Sequence, residues 1–327
     1  MDRFVFCLIA SLCSLNSAYG YQFEIDLEYA HQRTKLLIPV GITVPGGGQT
    51  LIQESNNETT TAGASYFFSP IPITQGPIRE QAFLGKNSSV SLGYTNNDSR
   101  TTVAFPPFFS SRQETDSDSY EISSQLVLGP GNWIATVGYT GFDGATAGEN
   151  TFSVDTRSDT FQAGFGKYIT PTTTLVLGYS HSEARQTILE TGLGIFLGPN
   201  SFSFRQENVS FNGRHLMQLG NRHLLIQGTL GTSKTSGSAL TSDGSLGNYA
   251  LGAAFFPRRN LGLGIATGGT FDEPTGTRDT TSFSIVIDWF VSPLIAINSG
   301  YRFSDFEERD DEQFDDDGFF LQLTSRW

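Results

Sequence analysis

The chain is poor in the residues from which most reactive sites are built. It holds 2 Cys, 2 Met and 4 His in 327 residues, and both cysteines, Cys7 and Cys13, fall within the first 20 positions. Residues 21–327 therefore offer no thiol for a disulfide, a nucleophile or a metal. The histidines do not assemble either. His181 and Ser182 are neighbours, so a strand points them to opposite faces; His31 and His215 have no acidic partner in register, and His223 lies at a turn. A hydrolase needs a nucleophile, a His and an orienting group on one face, so no enzyme, cofactor or metal site is expected. Charge is scarce as well: 16% of residues are charged, the net charge is −13, and Lys and Arg nowhere cluster, which excludes a nucleic-acid partner. The last scarcity is the long apolar run. Beyond residues 4–15 nothing approaches the roughly 20 apolar residues of a membrane helix.

Residues 1–20 read as a cleaved signal peptide: Arg3, an apolar stretch from Phe4 to Leu15, then Ala18 and Gly20 before the cut. Cys13 does not mark a lipoprotein, because Leu12 stands where a small residue belongs. Residues 21–327 form the remaining domain. A secreted chain without membrane helices can still span a membrane as a closed barrel, the only other structure that satisfies every backbone polar group in lipid.

What the chain does have is 36 Gly and 13% aromatics, a composition of strands and turns. Directly after the cut, Tyr21, Phe23, Ile25, Leu27 and Tyr29 alternate with Gln22, Glu24, Asp26 and Glu28. That is a strand with one apolar face, aromatic at both ends, as two membrane interfaces select. At the other end Phe319, Leu321, Leu323 and Trp327 alternate with Gln322, Thr324 and Arg326, and so well patterned a terminus needs a partner strand. The first strand supplies it.

Between them the same pattern recurs around short turns at Pro130, Pro171, Asn221, Pro257 and Pro293, while longer polar stretches lie opposite: 30–60, 95–119, 141–158, 182–202, 233–244, 272–280 and 305–317. Short turns on one side and long loops on the other mark an outer-membrane barrel. The count is fourteen strands, with twelve to sixteen compatible: an all-β, transmembrane, antiparallel up-and-down β-barrel. Gly262-Leu263-Gly264 lies in a strand with no helix after it, so dinucleotide binding is not supported. The acidic run 305–317 does not fit a calcium loop, since Gln313 and Thr324 occupy ligand positions; it reads as a solvated extracellular loop.

Alternation also assigns the interior. Glu24, Asp26, Glu28, Glu121, Arg214, Asp288, Arg302 and Arg326 fall on the polar face and are expected to line the pore. If Arg214, Arg302 and Arg326 stand across from the acidic first strand, they create a transverse field. Fourteen strands favour a narrow aqueous channel over a filled barrel.

Residues 66–94 resemble the general bacterial porin family of Gram-negative outer membranes. The matching pieces are Tyr66-Phe67-Phe68 leading to Pro70, Gly76-Pro77, Ala82-Phe83-Leu84, and Ser89-Val90 opening a strand. The resemblance implies a passive channel in the outer membrane, inserted by the barrel-assembly machinery, which reads Phe319, Leu321, Leu323 and Trp327 in the last strand. The expected function is passive diffusion of ions and small hydrophilic solutes, with a mild cation preference from the acidic balance. The expected surroundings are outer-membrane lipid and lipopolysaccharide. A substrate-specific channel and a structural or adhesive barrel acting through its loops stay open, as do a monomer and a homo-oligomer.

Overall fold

The computed structural model describes residues 20–44, 47–72, 76–105, 109–130, 132–148, 152–190, 197–237, 244–272, 279–307 and 313–327. The signal-peptide reading falls on residues 1–19, outside the described residues, and so does the middle of the acidic run, 308–312. The strands are β1 (Tyr21–Val44), β2 (Gly47–Ile71), β3 (Ser89–Phe105), β4 (Phe109–Leu128), β5 (Trp133–Gly148), β6 (Phe152–Thr170) and β7 (Thr173–Glu190). They continue as β8 (Leu197–Leu219), β9 (Arg222–Gly237), β10 (Gly244–Arg258), β11 (Leu261–Asp272), β12 (Asp279–Ser292), β13 (Ile295–Glu307) and β14 (Gln313–Arg326). Every strand pairs antiparallel with its sequence neighbours, and β14 closes on β1, giving a fourteen-stranded up-and-down barrel.

Closure follows the pairing expected of the chain ends. The seam sets Glu24 opposite Arg326 and Tyr29 opposite Leu321. Trp327 extends it: its N–H donates to the Phe23 carbonyl at 3.0 Å, and its carbonyl accepts from Gln22 and Phe23 at 2.9 and 2.8 Å. The Phe23 and Trp327 rings lie parallel, 6.2 Å apart. Among the described residues each strand has a partner on both sides, so the sheet closes on itself as a bilayer requires.

The outward face is apolar and open. Leu92, Leu177, Leu230 and Leu321 are each more than half exposed, a surface that water would penalise and lipid would not. At one border of this belt a tyrosine hydroxyl donates to an aspartate one strand away: Tyr94 to Asp118 at 2.5 Å, Tyr301 to Asp317 at 2.9 Å, and Tyr139 to Asp159. The rings stay with the apolar belt and the hydroxyls reach the polar side, the division of labour of interfacial tyrosines.

The strands are much longer than the alternation shows. Residues 30–60, expected as a loop, are largely the distal halves of β1 and β2, and residues 95–119 those of β3 and β4. About ten tilted residues cross a bilayer. Beyond that height both faces meet water, so alternation carries no benefit there. Hydroxyl and amide pairs replace it on the inner face, as in Thr61 with Thr95 at 3.0 Å, Thr59 with Asn97 at 2.8 Å, and Thr115 with Thr146 at 2.9 Å.

Candidate functional site: plug and lumen

On the side of the chain ends, five of the strand connections are two to four residues long, whereas the link from β2 to β3 takes 17, residues 72–88. Its described stretch, residues 76–88, turns inward. It carries a single 3-10 turn (Ile78–Glu80) running into α1 (Gln81–Leu84). Gly76 opens the turn with φ at +116°, a conformation that disfavours any side chain, and a Cβ there would come within 3.0 Å of Leu84. Gln81 closes the motif from within, its amide donating to the Pro77 carbonyl at 2.8 Å. Pro77, Glu80 and Gln81 are among the most deeply buried residues described.

The link is a plug that meets the wall almost all the way around. Phe83 packs with Ile134, Tyr168, Leu216, Leu225, Ala254 and Phe256 of β5, β6, β8, β9 and β10. Ile78 packs with Phe290 of β12 and Ala296 of β13, and Ala82 with the cluster of Tyr21, Phe67 and Ile71. Polar contacts lock these positions. The Tyr168 hydroxyl donates to the Phe83 carbonyl at 3.1 Å, the Ile78 N–H to the Arg259 carbonyl at 3.0 Å, and Arg259 Nε to the Gly76 carbonyl at 3.0 Å. Two ion pairs pin opposite sides of the turn: Arg79 to Asp288 on β12, and Glu80 to Arg214 on β8. The Arg214 guanidinium also lies 4.5 Å over the Phe83 ring.

The eight residues expected to line the pore divide into two groups. Glu24, Arg214, Asp288 and Arg326 belong to the plug level. Arg326 is almost wholly buried: Nε donates to Glu24 at 2.5 Å and Nη1 to the Ile78 carbonyl at 3.3 Å, and the guanidinium lies about 5 Å from the Tyr21 and Phe290 rings. Asp26, Glu28, Glu121 and Arg302 lie farther up the wall. Asp26, Glu28, Glu121 and Gln322 surround one recess of about 240 Å³; Glu28 and Arg302 share another, about 170 Å³, with Gln32 and Asp316. Among the described residues Glu28, Glu121 and Arg302 have no ion pair.

Two of the three arginines do not stand across the lumen from the acidic strand. β14 abuts β1, which places Arg326 beside Glu24, and Arg302 on β13 shares a recess with Glu28. Only Arg214, on the eighth strand of the ring, faces them from the far side, and it is clasped to the plug. The simple field of three arginines against three carboxylates is therefore absent. The lumen also holds an element that alternation did not reveal, residues 76–88, packed against the wall near the chain-end side. A signal for it was present in the uneven connection: 17 residues with Ile78, Phe83 and Leu84, on the side where two suffice. Phe319, Leu321 and Leu323, expected as part of an assembly signal, point outward, and Trp327 stacks at the seam.

No protein-family model and no curated protein matches the chain. Among solved structures, the outer membrane protein Omp33 of Acinetobacter baumannii aligns with a TM-score of 0.53 at 13% identity, covering 95% of this chain and 100% of that one. The translocator domain of the autotransporter NalP from Neisseria meningitidis aligns with a TM-score of 0.49 at 13% identity, covering 99% and 95%. The structural neighbours are bacterial outer-membrane β-barrel proteins, and this chain shares the barrel fold of Omp33.

Proposed function

We propose that the protein is a plugged channel of a Gram-negative outer membrane, passing ions and small hydrophilic solutes when residues 76–88 leave the barrel mouth. The observation that carries this reading is the construction of the plug. A link that only filled the barrel would be served best by apolar packing, since a buried ion pair is a weak source of stability. Here two ion pairs hold one turn to opposite walls, and the Glu80 carboxylate is fully buried yet has one oxygen, Oε1, without a hydrogen-bond partner. Such a contact is strong when intact and costly when half broken, which suits an element with two positions.

Above the plug the wall favours cations. Asp26, Glu28 and Glu121 face the lumen without ion pairs among the described residues, against Arg302. A mild cation preference follows, weakening at high salt as screening shortens the reach of each charge. The last strand, through Phe319, Leu321, Leu323 and Trp327, is the segment offered to the barrel-assembly machinery, and the outer belt meets lipid and lipopolysaccharide. Planar-bilayer recording tests the reading: deleting residues 76–85 should convert brief openings into a persistently conducting pore. Equal conductance with and without the plug would defeat it.

A further inference from the structure

A separate cavity lies in the barrel wall. It opens in the wall of β7 to β11 at the plug level, about 370 Å³ in volume, with Thr174, Asn212, Arg214, Gln227 and Thr229 as its polar lining. The wall is hollow there because Ala250, Gly252 and Ala266 carry little or no side chain on neighbouring strands. Among the described residues no carboxylate lines it. One lining residue, Arg214, holds Glu80 of the plug.

We propose that this cavity binds small hydroxylated solutes bearing a carboxylate, and that their binding draws Arg214 away from Glu80 and frees the plug. The inference rests on the plugged-channel reading and adds the class of solute that opens it. Arg214 has the unused capacity: one Nη donates to Glu80, while 34% of the side-chain surface stays exposed. A carboxylate meets a guanidinium best through two parallel N–H donors, and the Glu80 contact is recorded through a single Nη. A solute carboxylate placed in the cavity competes on better terms for the same group.

The rest of the lining suits hydroxyls. Thr229 Oγ1 donates to Asn212 Oδ1 at 2.7 Å, and Asn212 Nδ2 to Ser210 Oγ at 3.2 Å, which fixes the orientation of that amide at the rim. Gln227 is exposed to the lumen and has no side-chain partner among the described residues, so both ends of its amide are free for a solute. Charge decides where in this cation-favouring lumen an anion is held. An anion entering the lumen is repelled by Asp26, Glu28 and Glu121 on the acidic wall, and Arg214 stands across the ring from them. The volume suits one small organic acid.

Binding and plug release share one arginine, so they are linked: the factor by which bound solute shifts the plug toward release equals the factor by which release tightens solute binding. The probes are glucuronate and glucose, which differ in the carboxylate. Titration calorimetry on the full barrel in detergent should show glucuronate binding at least tenfold tighter than glucose, and the Q227L/T229V variant, folded by heat-modified gel migration, should lose that binding at least tenfold. In planar bilayers millimolar glucuronate should raise the open fraction severalfold, and glucose should not. E80Q should bind glucuronate more tightly than the wild type. Equal calorimetric affinity for glucuronate and glucose overturns the site, even if the channel conducts. Selective binding with an unchanged open fraction overturns the release step; if the plug deletion is also silent, the channel reading itself has failed, and the two failures are thereby told apart.

Discussion

The Glu80–Arg214 pair yields a prediction whose order of effects is unusual. Glu80 is fully buried, while the Arg214 side chain keeps 34% of its surface exposed to the lumen. Arg214→Met preserves the stem that packs beside Phe83 but strands a carboxylate in the barrel interior. Leaving a buried charge uncompensated costs about 3 kcal/mol, roughly a hundredfold shift from the docked plug to the released one at about 1.4 kcal/mol per tenfold. Glu80→Gln removes the buried charge, keeps a hydrogen-bond acceptor, and leaves an arginine that water can reach, a loss of about 1 kcal/mol and roughly fivefold. The double variant buries a neutral amide instead of an ion, so adding Glu80→Gln should partly close the channel that Arg214→Met opened. Single-channel recording of open and closed dwell times reads all three. Effects that simply multiply, or a double variant more open than Arg214→Met alone, would refute the argument from buried charge.

Three further outcomes follow from the same geometry. Arg302→Ala should shift the zero-current potential toward cations and Glu121→Gln toward anions, both effects shrinking between 0.1 and 1 M salt, in the order of about 10 and 3 Å screening lengths; unchanged potentials would place neither residue on the ion path. Deleting Trp327 removes its stacking on Phe23 and three seam hydrogen bonds, and should lower the yield of heat-modifiable barrel before it changes conductance; normal yield would remove the terminal residue from assembly. Gly166→Ala would set a Cβ 2.2 Å from the Leu175 carbonyl oxygen, backbone that cannot yield locally, so the barrel should melt at lower temperature; an unchanged melting temperature would show that β6 and β7 can separate to admit it.

How much of this was legible in the chain depends on where lipid lies. Lipid on one face and water on the other impose a period of two, so Tyr21 to Tyr29 and Phe319 to Trp327 announce both their faces and their pairing. Above the bilayer both faces are wet and the constraint vanishes, which is why 30–60 and 95–119 read as loops although β1 to β4 run through them. Alternation also told inward from outward without telling what stands across the lumen. The seam itself put Arg326 beside Glu24, a consequence contained in the pairing of first and last strands. The partners of Arg214 and Asp288 were out of reach because they come from the plug, whose Pro70, Pro72, Gly76 and Pro77 look like an ordinary turn. Only its length betrayed it.

The central claim is that residues 76–88 close the channel while docked. Residues 21–327 contain no cysteine, so an engineered pair is free of background. Ile78 on the plug and Ala296 on β13 pack together in one cluster and are the place for it. In planar bilayers the Ile78→Cys, Ala296→Cys double variant should be silent when oxidised and should regain openings when dithiothreitol is added; full conductance with the disulfide formed would contradict the account.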